Sequence, residues 1–437
     1  MNSATISLQG QAPRQKNAAA LLASAWCLPA AAFAGIVAAR LGFWADANST
    51  AFLLGSPVVL LLGRAIFWGW LLAFFSPELN LALLLAVGLA GDLLLLHIIG
   101  ITPQANILFW LVELLTLAFC LLPAQLFARW TREDSHLTSR NVLHILFHAA
   151  LILGVWPLLA VDLFGGNWHA WSERSSALNK IYLQLLCIPG VFLLTAMQEF
   201  HAQGRGTPMP QDAPRKLVIT GIYAYVANPM QVGKFGVLAG WGCFWKNPYI
   251  VVIAFLGLFY SLTIARLRED RDLTARFGED WFAYRRHVRR WLPRWRPWIP
   301  STFAQEPHNG NPVQESAAVL YLDFDCGPCA NLMRWFLAQK PVGLRIASRV
   351  DYPGAVPSAI LYRHACGAGE ERGIAAMARA LEHIHLAWAF FAWMLRLPFI
   401  AWFAQLLADA AAPRELQPCS LPLSPILSIP PEPGSPL

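Results

Sequence analysis

Long apolar runs separated by short polar connections fill the first two thirds of the chain. A helix needs about 20 predominantly apolar residues to cross the hydrocarbon core of a bilayer. Eight such runs are read at 18–44, 50–75, 79–100, 105–128, 142–165, 180–200, 231–247 and 249–266. The seventh is short and reaches Pro248 through Trp245, Lys246 and Asn247, which predicts a tight helical hairpin with the eighth. The pattern then changes near residue 301 to a polar, Pro- and Gly-containing stretch, followed by an apolar strand, a Cys-x-x-Cys and an amphipathic helix. The predicted fold class is an all-α polytopic membrane protein of about eight transmembrane helices with a C-terminal α/β domain.

Composition agrees with that pattern. Of the 437 residues 56% are hydrophobic and only 14% charged, far from the mixture of a soluble domain. Basic residues orient the spans. With the N-terminus inside, the inner connections hold Arg14 and Lys16, then Arg129, Arg132 and Arg140, then Arg205, Arg215 and Lys216, then the run from Arg266 to Arg296. The outer connections hold Arg40, Arg174, Lys180 and Lys246. Both termini are therefore expected on the cytoplasmic face of a bacterial inner membrane or its equivalent. The first apolar run lacks the ordered regions of a cleaved signal and reads as a retained span. The net charge of +7 is concentrated between Ala265 and Trp298, where basic residues alternate with Trp, Phe and Tyr. That mixture suits a segment at headgroup level facing anionic lipid, a nearer polyanion for a membrane-tethered tail than nucleic acid, so no nucleic-acid partner is expected.

The most informative connection is 201–231, HAQGRGTPMPQDAPRKLVITGIYAYVANPMQ. Gly204, Gly206, Pro208, Pro210 and Pro214 interrupt helix and leave backbone groups free, which near a membrane requires protein or a watery cavity to satisfy them. Gly221 permits close backbone approach, and Tyr223 and Tyr225 offer aromatic faces. Asn228 precedes Pro229, so an extended residue should lead directly into a new helix whose free amides favour a carboxylate. Taken alone, this reads as an ordinary helix-breaking loop.

Together with REDRDLTARFGEDWFAYRRHV at 268–288, the loop resembles the isoprenylcysteine carboxyl methyltransferase and phospholipid methyltransferase superfamily of integral-membrane enzymes. The resemblance covers the last two spans and their cytoplasmic flanks. It implies S-adenosylmethionine as cofactor, with backbone contacts from Lys216, Leu217 and Val218. Tyr223 and the Asn228, Pro229, Met230 and Gln231 group would lie along its nucleoside and methionine moieties. It also implies that Glu269 holds the cofactor's amino group; an exposed helix face with i, i+4 pairs is the plain alternative. Three positions depart from the pattern: Ala227 replaces the usual Arg, Gln231 the usual Tyr, and Ala265 the Arg that binds a prenylcysteine carboxylate, leaving Arg266 and Arg268 as substrate-binding candidates. The implied acceptor is a membrane-embedded or amphiphilic molecule of isoprenoid, lipid or prenyl-thiol type. Methyl transfer from a sulfonium needs alignment in a dry pocket more than covalent help, so no residue is assigned as catalytic for it. An NADPH-dependent membrane reductase of the sterol-reductase-like branch and a non-catalytic redox-responsive scaffold are the alternatives.

In the C-terminal part, Cys326 should begin a helix whose dipole favours its thiolate, with Cys329 one turn on. The segment resembles the DCC family of thioredoxin-like thiol-disulfide oxidoreductases through Asp323, Cys326 and Cys329, with Phe324 in place of a glycine. The resemblance implies a thioredoxin-like fold, Cys326 and Cys329 as catalytic thiols, Pro357 as a cis-proline and a thiol-redox partner. A metal held with His364 and Cys366 fits no standard spacing. The later run HLAWAFFAWMLRLPFIAWFAQLLA, broken by Arg396 and Pro398, is expected to be a helical hairpin on the membrane or on the domain.

The organisation expected is therefore 1–140 as N-terminal spans, 141–300 as the methyltransferase core, 301–316 as linker, 317–412 as the thiol domain and 413–437 as a Pro-rich tail. Cys27, Cys120, Cys187 and Cys243 read as small buried apolar residues, because their spacing gives no pair. His144 and His148 lie one turn apart, but the further His clusters of a metal enzyme are missing, and no metal is assigned. Arg64, Asp92 and Glu113 fall inside three consecutive spans, where ionisable groups are costly and usually paired.

Overall fold

The apolar runs fold as helices whose starts are set by short polar residues. In the computed structural model the described residues are 3–43, 52–53, 56–75, 80–101, 106–165, 170–207, 214–300, 317–357, 359–365 and 369–411. They divide into two units, Met1–Ile299 and Pro300–Leu437. The first contains α1 (Ser3–Arg40), α2 (Val58–Phe75), α3 (Leu81–Ile98), α4 (Ile107–Arg132), α5 (Leu137–Phe164), α6 (Ser176–Gly204), α7 (Pro229–Phe244) and α8 (Pro248–His287). The Asn80 side chain accepts from the Leu83 amide at 2.8 Å, and Asn106 from Leu108 at 2.9 Å. Ser175 opens α6 and Asn247 opens α8 in the same way. Each satisfies a first-turn donor that would otherwise be unpaired.

Among the described residues seven helices are long and apolar enough to cross a membrane: Lys16–Ala39 within α1, then α2 to α6, and α8. The eighth expected span, 231–247, is the exception. Its helix α7 has 16 residues, about 24 Å at 1.5 Å per residue, against a core of about 30 Å. It packs closely on α6 through glycine. A Cβ at Gly233 would lie 2.7 Å from the Leu193 backbone nitrogen, and one at Gly236 2.6 Å from the Pro189 ring. Small residues at such crossings let membrane helices approach closely.

The N-terminal bundle closes around one ionic cluster. Arg64 donates from Nε to Asp92 at 2.8 Å and from Nη2 to Asp92 at 2.7 Å, and Nη2 also reaches both Glu113 oxygens at 3.0 Å. All three are buried, and the guanidinium lies 5.1 Å over the Trp68 ring. Trp68 itself donates to the Gly88 carbonyl at 3.0 Å, joining α2 to α3. The paired arrangement expected of these intramembrane charges is thus present.

The second unit holds β1 (Ala318–Leu322), α9 (Gly327–Gln339), β2 (Leu344–Ser348), β3 (Leu361–Arg363), β4 (Glu370–Arg372), α10 (Gly373–Leu381), α11 (Leu386–Leu395) and α12 (Pro398–Ala411). The strand order is β2-β1-β3-β4. β1 runs parallel to β2 and antiparallel to β3, with Leu320 opposite both Ile346 and Tyr362. All five β1 residues are buried, as a central strand covered on both faces requires. α11 packs into this unit with Ala392 in its core, and Arg396 at its end donates to Glu382 at 2.7 Å. The expected α11–α12 hairpin is instead an 88° bend. Pro398 cannot continue the ladder of α11, and α12 leaves with Phe399 and Trp402 exposed.

Candidate functional site

The loop after α6 is built from one buried turn, Gly221–Ala224, in which every residue is buried. Gly221 sits at φ +57°, a conformation that costs an L side chain about 1–2 kcal/mol, and a Cβ there would fall 2.8 Å from the Glu199 carboxyl carbon. Glu199, on α6, is fully buried and accepts a 2.6 Å hydrogen bond from the Thr220 hydroxyl. Glycine at 221 thus lets the loop backbone lie directly against a buried carboxyl group.

The tail after α8 returns to this turn. Gly278, at φ +47°, breaks α8, and the chain beyond it runs beside the loop. The amides of Ala227 and Asn228 donate to the carbonyls of Arg289 and Arg290 at 2.9 and 3.1 Å, and those of Arg294 and Trp298 donate to Tyr225 and Ala224 at 2.9 Å each. The Tyr284 hydroxyl donates to the Tyr223 carbonyl at 2.8 Å. Beneath these bonds Trp281, Tyr284 and Val288 pack with Leu217, Ile219, Ala227 and Trp298. Arg290 pairs with Asp270, and Arg276 reaches the Pro214 carbonyl. Loop and tail are therefore one folded layer rather than two independent connections.

The sequence-predicted residues fall unevenly within it. Tyr223 is buried, with its ring 6.2 Å from Phe200. Burial pushes its phenol well above the usual range, and Tyr284, Glu269 and Glu199 all lie close enough to add to the effect. Asn228 and Pro229 are buried at the start of α7, where no side chain caps the first-turn amides. Met230 packs toward the α6–α7–α8 core, and Gln231 accepts from Ser261 at 3.2 Å. Leu217 serves the tail cluster, and Val218 is buried against Gly204. Lys216 is exposed, as are Glu269, Arg266 and Arg268 on α8. Arg266 lies 3.8 Å from Asp270.

Glu199 is the functional candidate that the sequence reading passed over. It is an acid inside an apolar run, the same signal that singled out Arg64, Asp92 and Glu113. His144 and His148 are both buried, and the His148 Nδ1 lies 2.8 Å from the His144 carbonyl, which it can only meet as a donor. Among the described residues no group of three His, Cys, Asp or Glu side chains is placed to hold a metal.

In the second unit Cys326 is the residue before α9 and Cys329 lies in its first turn. Both are thiols and half-buried. Burial pushes the Cys329 thiol up to about 11, and neighbouring Cys326 adds to it. Asp323 pairs with Arg349 at 2.8 Å. The cis-proline expected at Pro357 is not found: no peptide bond among the described residues is cis. The X-Pro amide still favours trans by about 0.5–1 kcal/mol, and nothing here reverses that preference. Cys366 lies outside the described residues.

Residues 183–280 match the family model for phospholipid methyltransferases. That segment runs from within α6, through the loop and α7, into α8 just beyond Gly278. The comparisons with curated proteins and with solved structures returned no match.

Proposed function

We propose that α6 to α8 and the layer of loop and tail form an S-adenosylmethionine-dependent methyltransferase core acting on a lipid-type acceptor at the cytoplasmic face of the membrane. The observation that carries this reading is the lacing of residues 224–228 to 289–298, inside and just beyond the segment that matches the methyltransferase family. It lays the tail of α8 against Tyr223 and Asn228, and Glu269 lies close enough to Tyr223 to act on its phenol.

The residues fit such a cofactor in kind. The uncapped amides of Met230 and Gln231 at the head of α7 suit a carboxylate. Glu269 suits an ammonium group. Bound S-adenosylmethionine supplies a methyl already activated on a sulfonium. The chain's part is to align the acceptor, keep water out and hold the loop closed, which the buried turn 221–224 and its bond from Tyr284 serve. Exposed Arg286, Arg289 and Arg296 beside exposed Leu292 and Trp295 suit a tail resting on anionic headgroups.

For the second unit, the β2-β1-β3-β4 order with Cys326 at the head of α9 supports a thioredoxin-like reading. Cys326 would attack a partner disulfide and Cys329, whose thiol burial raises, would resolve the mixed disulfide.

Calorimetry on detergent-purified protein tests the methyltransferase reading. S-adenosylmethionine and S-adenosylhomocysteine should bind saturably, and Glu269→Gln should weaken both by about ten-fold, the loss of one charge-assisted hydrogen bond. Binding of NADPH instead would transfer the core to reductase chemistry. Binding of none of the three would leave a scaffold.

A further inference from the structure

Two cysteines that sequence spacing left unpaired face each other in the N-terminal bundle. Cys27 lies on α1 and Cys120 on a π-helical stretch of α4, Leu117–Leu121. The Cys120 sulfur points at the Cys27 carbonyl at 3.5 Å, and the Cys27 sulfur points at the Cys120 carbonyl at 3.9 Å. The two thiols lie within electrostatic reach of each other, and the Arg64 guanidinium within electrostatic reach of both. Both residues are buried.

Cys120 also forms part of the wall of a cavity of about 440 Å³ bounded by α1, α4 and α5, a size within the range of small-molecule sites. Trp26, Phe33, Phe119, Leu146 and Phe147 make much of the remaining wall. The Thr116 hydroxyl there is already bonded to the Val112 carbonyl at 2.7 Å. Phe33 and Phe119 are largely exposed on the outer surface of the bundle, so the cavity opens toward lipid.

We propose that Cys27 and Cys120 are a reversible dithiol–disulfide pair that delivers its electrons to a lipophilic quinone seated in this cavity. The occupant must be apolar to suit the wall and must arrive through the bilayer. The one reactive group it meets is a thiol with a second thiol behind it, which calls for a lipid-soluble two-electron acceptor. In the step two S–H bonds break and one S–S bond forms. The two electrons and two protons pass to the two ring carbonyl oxygens, which become the hydroxyls of a hydroquinone.

The test uses full-length protein carrying Cys326→Ser, Cys329→Ser, Cys366→Ser and Cys419→Ser, so that the C-terminal thiols do not report. The protein is reduced with a phosphine, freed of reductant and mixed with decylubiquinone in detergent. About one equivalent of hydroquinone should form, with a Cys27–Cys120 disulfide located by peptide mass mapping. Cys27→Ala and Cys120→Ala should each abolish both signals. Ala34→Trp, which fills the cavity from α1, should slow oxidation by the quinone at least about ten-fold while diamide still closes the disulfide. The proposal is overturned if diamide fails to close the pair in the unfilled protein. It is equally overturned if the quinone leaves both thiols free, or if hydroquinone still forms in Cys27→Ala.

Discussion

The Tyr284 hydroxyl holds the Tyr223 carbonyl at 2.8 Å, so the end of the last membrane helix fixes the turn that leads to Asn228. Removing that donor in Tyr284→Phe leaves a buried carbonyl unpaired, at a cost of about 1–3 kcal/mol. The expected result is a lower melting temperature and, on the methyltransferase reading, weaker S-adenosylmethionine binding by about ten-fold. Differential scanning fluorimetry and calorimetry on the same preparation check both.

Gly221→Ala should be worse than its size suggests. The new methyl meets both an unfavourable φ and the Glu199 carboxyl at 2.8 Å, and we expect a loss of at least about 2 kcal/mol. Thr220→Val, which removes only the 2.6 Å bond to Glu199, should cost about 1–3 kcal/mol. If Gly221→Ala were as stable as the parent by denaturant or thermal unfolding, the close approach of loop to Glu199 would be wrong.

Arg64→Met leaves Asp92 and Glu113 buried without their cation. Breaking a buried pair from one side costs about 3–5 kcal/mol, whereas replacing the whole cluster by neutral residues costs far less. The triple change Arg64→Met, Asp92→Asn, Glu113→Gln should therefore recover most of the stability lost in the single variant. Yield and unfolding temperature in detergent measure the difference.

Acid should loosen the second unit in two stages. The His383 Nδ1 donates to the Val342 carbonyl at 2.7 Å, so its Nε2 accepts the 2.8 Å bond from the Tyr362 hydroxyl. Burial holds this neutral ring at about 4, against 6.5 unperturbed. As the pH falls from 6.5 toward 4 the unfolded chain takes up a proton that the folded one refuses, so stability present above that window is lost through it. The limit is about 3 kcal/mol. Glu371 follows at lower pH. Burial acts to raise it, but the His364 hydrogen bond and the Arg379 and Arg396 charges hold it at about 2, below 4.5. Its contribution is present above 4.5 and disappears as the pH falls toward 2. Hydrogen exchange of β3 and β4 in the full-length protein, at pH 7, 5 and 3, should show protection falling stepwise, and Tyr362→Phe should weaken the first step.

Much of this was legible in residues. Apolar run length gave the helices, and Asn80, Asn106 and Asn247 sit where a capping side chain belongs. The Asn228–Pro229 dipeptide marked the start of α7, and the strand, Cys-x-x-Cys and helix pattern marked the head of α9. What spacing could not supply was facing. Cys27 and Cys120 are 93 positions apart, and only the crossing of α1 and α4 brings them together. The lacing of Ala227 and Asn228 to Arg289 and Arg290 is likewise a long-range backbone matter that leaves no side-chain signature. Glu199 was overlooked because one acid near the end of an apolar run resembles a boundary residue. Pro357 was misread because a proline before a strand does not by itself select the cis bond.

The shortness of α7 makes the protein sensitive to the membrane it occupies. A helix of 16 residues locked by glycine to a longer neighbour cannot lengthen or tilt independently, so any hydrophobic mismatch must be taken up by lipid. A bilayer of long acyl chains would thin locally around α7 and draw headgroups toward the loop, whereas a thin bilayer would need no such adjustment. Acyl-chain length thereby becomes a variable of this fold, set by a helix that stops about 6 Å short of the hydrocarbon core's thickness.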